Sequence, residues 1–304
     1  MYDIYFESQM TKQIDFFLIG AQKCATTWIH HCLNEHPDIY IGGNKKEEFY
    51  LGGTIYNKDP FLWNTQFFST DKNYKIIGSA SVEYINDAGS LQFIKQYSLK
   101  PKFIFAIRNP VERAISAFFW KIKKNLLDQT DINNYFGLLL DEFKRKGTGL
   151  FTDDILKRGF YSDNIGDFIK LSGPENFKIV IYDEIKENPK EAISGIYKFL
   201  SVNPSFKPKN LNRHVKANNY STFLQNIERV YINKNKLLKF VYRGLNEFFF
   251  TVKKEPAKRI NKLLHEDVLN NLRLLYSEPN QRLINIIREN ILLTEKQIKY
   301  LESW

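Results

Sequence analysis

Two short stretches hold the residues best suited to chemistry. The first reads Gly20-Ala21-Gln22-Lys23-Cys24-Ala25-Thr26-Thr27. It combines one lysine, two hydroxyls and backbone N–H groups at a helix start, a set that converges on a phosphate-sized anion. The second reads Arg108-Asn109-Pro110-Val111-Glu112-Arg113-Ala114-Ile115-Ser116. Its arginine supplies a planar pair of donors for an oxyanion. Ser116 follows eight residues later, two helical turns on, and meets the same ligand only if the chain folds back over it. Each stretch has a plain structural alternative: a strand-to-helix turn with a Thr N-cap for the first, an Asn-Pro helix start with a surface ion pair for the second.

The elements around these stretches decide between the readings. Ile14–Gly20 is an almost unbroken apolar run that suits a buried parallel strand. Thr26–Asn34 follows at helical length and stops before His36-Pro37. Further strands are expected at Lys75–Gly78, Pro101–Ile107 and Phe177–Tyr182, with helices at Val111–Lys124 and Pro189–Leu200 and mostly helical chain over Lys258–Trp304. Alternation of this kind specifies an α/β fold, a central parallel sheet flanked by helices. Both stretches then lie at the carboxyl ends of strands, on the rim where such sheets bind ligands. The first is not the ordinary nucleotide loop, which ends in Gly-Lys-Ser/Thr; here lysine precedes the threonines by three.

Together the two stretches resemble the motifs of the sulfotransferase superfamily, which uses 3′-phosphoadenosine 5′-phosphosulfate (PAPS). The family's 5′-phosphosulfate loop is similar to G-x-x-K-x-G-T-T, and its 3′-phosphate motif to R-N-P-x-x-R-x-x-S. The second is matched in full; in the first, Ala25 stands where glycine is usual, and its methyl is expected to restrict the backbone only slightly. Arg158-Gly159-Phe160-Tyr161 resembles the family's R-G-x-Y stretch, and Leu283–Trp304 the C-terminal helices of bacterial and heparan-type members. That carbohydrate-type branch is favoured because the late G-x-x-G-x-x-K motif of the phenol and steroid enzymes is not found. The resemblance implies a P-loop-like sulfotransferase fold. It also implies that Lys23 stabilises the leaving phosphate, and that Gln22, Lys23, Cys24, Ala25, Thr26 and Thr27 hold the 5′-phosphate end. Arg108 and Ser116 would take the 3′-phosphate, with Tyr161, Arg213 and Lys216 as further nucleotide contacts. The base would be Glu47, in Lys46-Glu47-Glu48-Phe49-Tyr50, or Glu48 if the register shifts by one. PAPS is the co-substrate in this scheme, and no metal is needed.

Three histidines compete with these carboxylates. His30 and His31 sit past the opening turns of the first helix and are read as packing or surface residues. His36 belongs to a structural H-P-x-I turn. Gly78-Ser79-Ala80-Ser81-Val82-Glu83-Tyr84 resembles the family's G-E-x-S-P-x-Y segment without its Glu and Pro. Ala80 replaces a lysine that some polysaccharide enzymes use, which argues against a highly sulfated heparan-like acceptor.

Composition narrows the classes. The 304 residues carry 43% hydrophobic side chains and a formal charge of +10, which excludes wholesale disorder. No apolar run reaches transmembrane length and the start does not resemble a signal peptide, so a cytoplasmic protein is expected. Cys24 and Cys32 are too far apart on one helix to bond. The charge is local: residues 207–262 hold fourteen Lys/Arg and three Asp/Glu, leaving 30 basic and 31 acidic residues elsewhere. Nucleic acid is not indicated, since no zinc ligands, helix-turn-helix or aromatic RNA-binding motif accompany the charge. Aromatic residues interleave within Leu237–Lys254, a candidate for peripheral membrane contact. The chain is read as one domain, residues 1–304, with this basic helical segment at about 207–262. The expected acceptor is a saccharide, glycolipid or small secondary metabolite. Two other functions are alternatives: a nucleotide-dependent phosphotransferase, which needs magnesium and a Walker-type loop, and a membrane-surface or polyanion-binding protein on the same fold.

Overall fold

The computed structural model describes residues 14–42, 67, 73–87, 89–124, 126–127, 131–212, 264–290 and 292–304. Glu47, Glu48, Arg213, Lys216 and residues 237–254 lie outside these. The chain forms two compact units. One comprises residues 1–109, 160–213 and 276–304, and the other residues 110–159 and 214–275.

The first unit is built on a sheet of five described strands, β1 (Phe16–Gly20), β2 (Ile39–Ile41), β3 (Ile76–Ala80), β4 (Lys102–Ile107) and β5 (Phe177–Ile181). Every pairing is parallel, in the order β2-β3-β1-β4-β5. β1 sits at the centre and is buried at all five positions, which is why its sequence shows no polar alternation. Gly78 of β3 pairs with Phe16, and a Cβ there would run into the Phe16 ring, so the strand needs glycine. Around the sheet lie α1 (Thr26–Asn34), α2 (Ser90–Tyr97), α5 (Ser162–Ser172), α6 (Tyr182–Glu187), α7 (Pro189–Phe199) and α9 (Glu295–Glu302). One hydrophobic core runs from Ile14 through the strands to Ile298 and Leu301.

Sheet order departs from chain order around β1, whose neighbours β3 and β4 are both non-consecutive with it. After β1 the chain passes through α1 to β2 on one side, whereas β4 and β5 extend the sheet on the other side. The point between β1 and β4 is therefore a topological switch, where two connections leave in opposite directions and open a crevice at the strands' carboxyl ends.

The second unit is helical among its described residues. α3 (Pro110–Lys123) and α4 (Ile132–Lys146) belong to it, as does the start of α8 (Glu266–Glu289). Asp131 caps α4 by accepting the N–H groups of Asn133 and Asn134, and Gly147 ends it in a left-handed turn. Phe118 and Phe136 pack together in its interior, with ring centroids 5.8 Å apart.

Candidate active site

The loop from Gly20 to Ala25 joins β1 to α1. Lys23 and Ala25 both have positive φ, 68° and 65°, while Cys24 between them does not. Alternation of this kind turns successive N–H groups to one side and makes an anion-binding concavity. The first N–H groups of α1 have no acceptor within the helix, and no side chain caps them. They point the same positive end of the helix toward that hollow. Ala25 is where the sequence reading needs correction. Its backbone lies in the left-handed region (φ 65°, ψ 13°), so its methyl bears directly on the conformation that glycine adopts freely. Gln22 and Lys23 are half-buried, Cys24, Ala25 and Thr26 are buried, and Thr27 is exposed.

Arg108 leaves the end of β4, the strand beside β1 across the switch point. It is buried, and its guanidinium carbon sits 4.4 Å from the centroid of the Tyr182 ring. Tyr182 opens α6 at the end of β5, the next strand over. A cation over an aromatic face is held in place without losing its charge. Tyr161 completes the arrangement: its hydroxyl donates to the Arg108 carbonyl at 2.8 Å and lies 3.6 Å from the Cys24 sulfur. One side chain thus touches both motifs. Cys24, Arg108 and Tyr161 are thereby brought together. Tyr182 was not foreseen. Its only sequence signal is its position, first after a parallel strand.

Ser116 is buried on α3 in the second unit. On the same helix, Arg113 is wholly buried and donates to the Ile155 carbonyl. Arg158 of the R-G-x-Y stretch pairs with Asp154 at 2.6 Å. His36 accepts the Asp38 N–H through Nδ1, faces the Asn203 carbonyl through Nε2 at 3.1 Å, and packs on Tyr197 and Phe206. His30 is buried on α1, and His31 is half-buried. Burial and the nearby Glu35 charge push the Cys32 thiol up to about 12, so it is inert at neutral pH. In place of the missing Glu, the Ser79 hydroxyl meets the buried Tyr84 hydroxyl at 2.7 Å.

The start of the basic segment is anchored on α1. Glu35 accepts the N–H of Lys209 and of Asn210, and the Trp28 indole donates to the Leu211 carbonyl at 3.3 Å. The chain therefore runs from the carboxyl end of α1 toward its first turn, and Asn212 is the last described residue before Arg213. Among the described residues no group of three or more His, Cys, Asp or Glu is placed to hold a metal ion. Nor is any described helix long and apolar enough to cross a membrane.

The family model for the sulfotransferase domain matches residues 13–247. The chain belongs to the sulfotransferase family. Among curated relatives of this sulfotransferase is the membrane-associated sulfotransferase kil1 of Dictyostelium discoideum, 23% identical over 74% of this chain and 66% of that protein. Human sulfotransferase 2A1 is 26% identical over 59% of this chain and 61% of that protein. The bovine bifunctional heparan sulfate N-deacetylase/N-sulfotransferase 2 is 24% identical over 62% of this chain and 22% of that protein. This sulfotransferase thus spans less than two thirds of the length of these relatives. Two solved structures share its fold. A sulfotransferase from Alicyclobacillus acidocaldarius superposes with a TM-score of 0.56 at 21% identity, over 77% of this chain and 97% of that one. Mouse SULT7A1, complexed with PAP, gives 0.50 at 15% identity, over 98% and 91%. The expected fold class and family are both met.

Proposed function

We propose that this sulfotransferase takes its sulfuryl group from PAPS and passes it to a hydroxyl or amine of a saccharide, glycolipid or small secondary metabolite. The observation that carries this reading is the placement of two anion-directed motifs after β1 and β4, the strands flanking the switch point. A mouse relative of the same fold complexed with PAP supports the choice of nucleotide.

Lys23, Thr26, Thr27 and the backbone N–H groups from Cys24 to Thr27 hold the 5′-phosphosulfate. Arg108 takes the 3′-phosphate. Arg213 and Lys216 add charge, a role supported by the course of Lys209–Asn212 along α1. In the transfer the bond from sulfur to the 5′-phosphate oxygen breaks as a bond from sulfur to the acceptor atom forms in line. The acceptor's proton passes to the carboxylate of Glu47 or Glu48. Adenosine 3′,5′-bisphosphate leaves, and the charge growing on its 5′-phosphate is met by the Lys23 ammonium. No metal is required by this scheme. Incubation with labelled PAPS and a panel of acceptors tests it. Label transferred to a saccharide or small hydroxyl compound supports the reading; absence of transfer together with absence of bisphosphate binding overturns it.

The basic and aromatic segment 237–254, together with a relative named as membrane-associated, supports peripheral membrane contact as an accompanying property. Flotation with anionic vesicles, lost on deleting that segment, is the expected result.

A further inference from the structure

The C-terminal residues lie beyond 247, where the family match ends, yet they pack behind the arginine of the 3′-phosphate motif. α9 begins with a reciprocal cap between Thr294 and Gln297 and buries Ile298 and Leu301 in the core. Two of its polar side chains reach α6. The Gln297 amide donates to Glu184 at 2.9 Å, and the Tyr300 hydroxyl donates to Glu187 at 2.6 Å. The second oxygen of Glu184 accepts the N–H of Ile181, the residue just before Tyr182. Just past the end of α9, the Trp304 ring meets Tyr161 edge-on, with centroids 6.4 Å apart. Tyr182 carries the Arg108 guanidinium on its face, and Tyr161 holds the Arg108 carbonyl. Both tyrosines that fix Arg108 are therefore backed by the last ten residues of the chain.

We propose that α9 and Trp304 form a brace that positions Arg108 and so sets how strongly the enzyme prefers a nucleotide bearing a 3′-phosphate. The proposal rests on the reading that Arg108 binds that phosphate. None of the bracing residues needs to touch the nucleotide. They act by limiting the positions open to a long cationic side chain, which otherwise loses conformational freedom on binding.

The test compares adenosine 3′,5′-bisphosphate with adenosine 5′-phosphate by isothermal titration calorimetry on the full chain. Wild type is expected to prefer the bisphosphate, and Arg108→Ala to erase that preference. The combined variant Gln297→Ala/Tyr300→Phe, and separately Trp304→Ala, are expected to reduce the preference by about three- to tenfold, within the roughly two- to thirtyfold that a cation–π contact spans. Affinity for the 5′-phosphate should change by less than about twofold. Trp304→Phe, which keeps an aromatic edge on Tyr161, should restore the preference. Tyr300→Phe alone deletes one hydroxyl and carries the test should the combined variant fail to fold. An unchanged preference in the brace variants overturns the proposal while leaving the role of Arg108 intact. Equal weakening of both nucleotides also overturns it, because that is a general loss of structure. A wild type with no preference, or an Arg108→Ala variant that keeps it, removes the reading on which the brace depends.

Discussion

Replacing Tyr161 with Phe removes one oxygen and keeps the ring. The ring contacts to Phe105 and Trp304, at 5.9 and 6.4 Å between centroids, survive the change. What goes is the 2.8 Å hydrogen bond to the Arg108 carbonyl from a side chain that is 4% exposed. A buried acceptor that loses its donor costs about 1–3 kcal/mol. For a chain of this size that is a fall in melting temperature of roughly 2–5 °C. Urea unfolding followed by tryptophan fluorescence measures it: the midpoint should fall while the slope stays constant. Affinity for the bisphosphate should fall as well, since the Arg108 backbone is no longer tied to Tyr161. An unfolding free energy within about 0.5 kcal/mol of wild type refutes this reasoning. So would weaker nucleotide binding with unchanged stability, because Tyr161 would then act on the ligand directly and not through Arg108.

Other outcomes follow from the same geometry. Lys23→Ala should lower turnover by about 10²–10³-fold while changing nucleotide affinity far less, as single-turnover kinetics beside calorimetry will show. Glu47→Gln should cut turnover by about 10²–10⁴-fold with nucleotide affinity preserved; if Glu48→Gln does so instead, the base lies one residue on. Cys32, with its thiol raised to about 12, should resist iodoacetamide at pH 8 in the folded protein and react fully in urea, as read by mass spectrometry. Because its folded value lies above the unfolded one, its contribution to stability is fully present below about pH 9 and is lost as pH rises toward 12.

The parts of the fold legible in the sequence are those whose signal is local. β1, β4 and β5 read as apolar runs because both of their faces are covered. β2 leaves no such signal: Ile39–Ile41 is three residues long, too short to show a pattern. α5 has no such signal either; the R-G-x-Y stretch ends at Tyr161, one residue before it. Lys23 and Arg108 could be found because each sits at a strand end in a motif of fixed spacing. Tyr182 could not, because its meeting with Arg108 depends on β4 and β5 lying side by side, which no local pattern states. The left-handed backbone of Ala25 was hidden for a different reason. Alanine is a good helix former, and nothing in its own type signals a positive φ. The brace from the C-terminal helix belongs to the same long-range class, joining residues more than a hundred positions apart.

The central claim is that the switch point between β1 and β4 is a site for a nucleotide with phosphates at both ends of its ribose. Calorimetric titration of the full chain with adenosine 3′,5′-bisphosphate tests this most directly. Saturable binding at one site per chain, weakened at least about tenfold by Lys23→Ala combined with Arg108→Ala, is the predicted result. Absence of binding to the wild-type chain, or binding that the double variant leaves untouched, would contradict it.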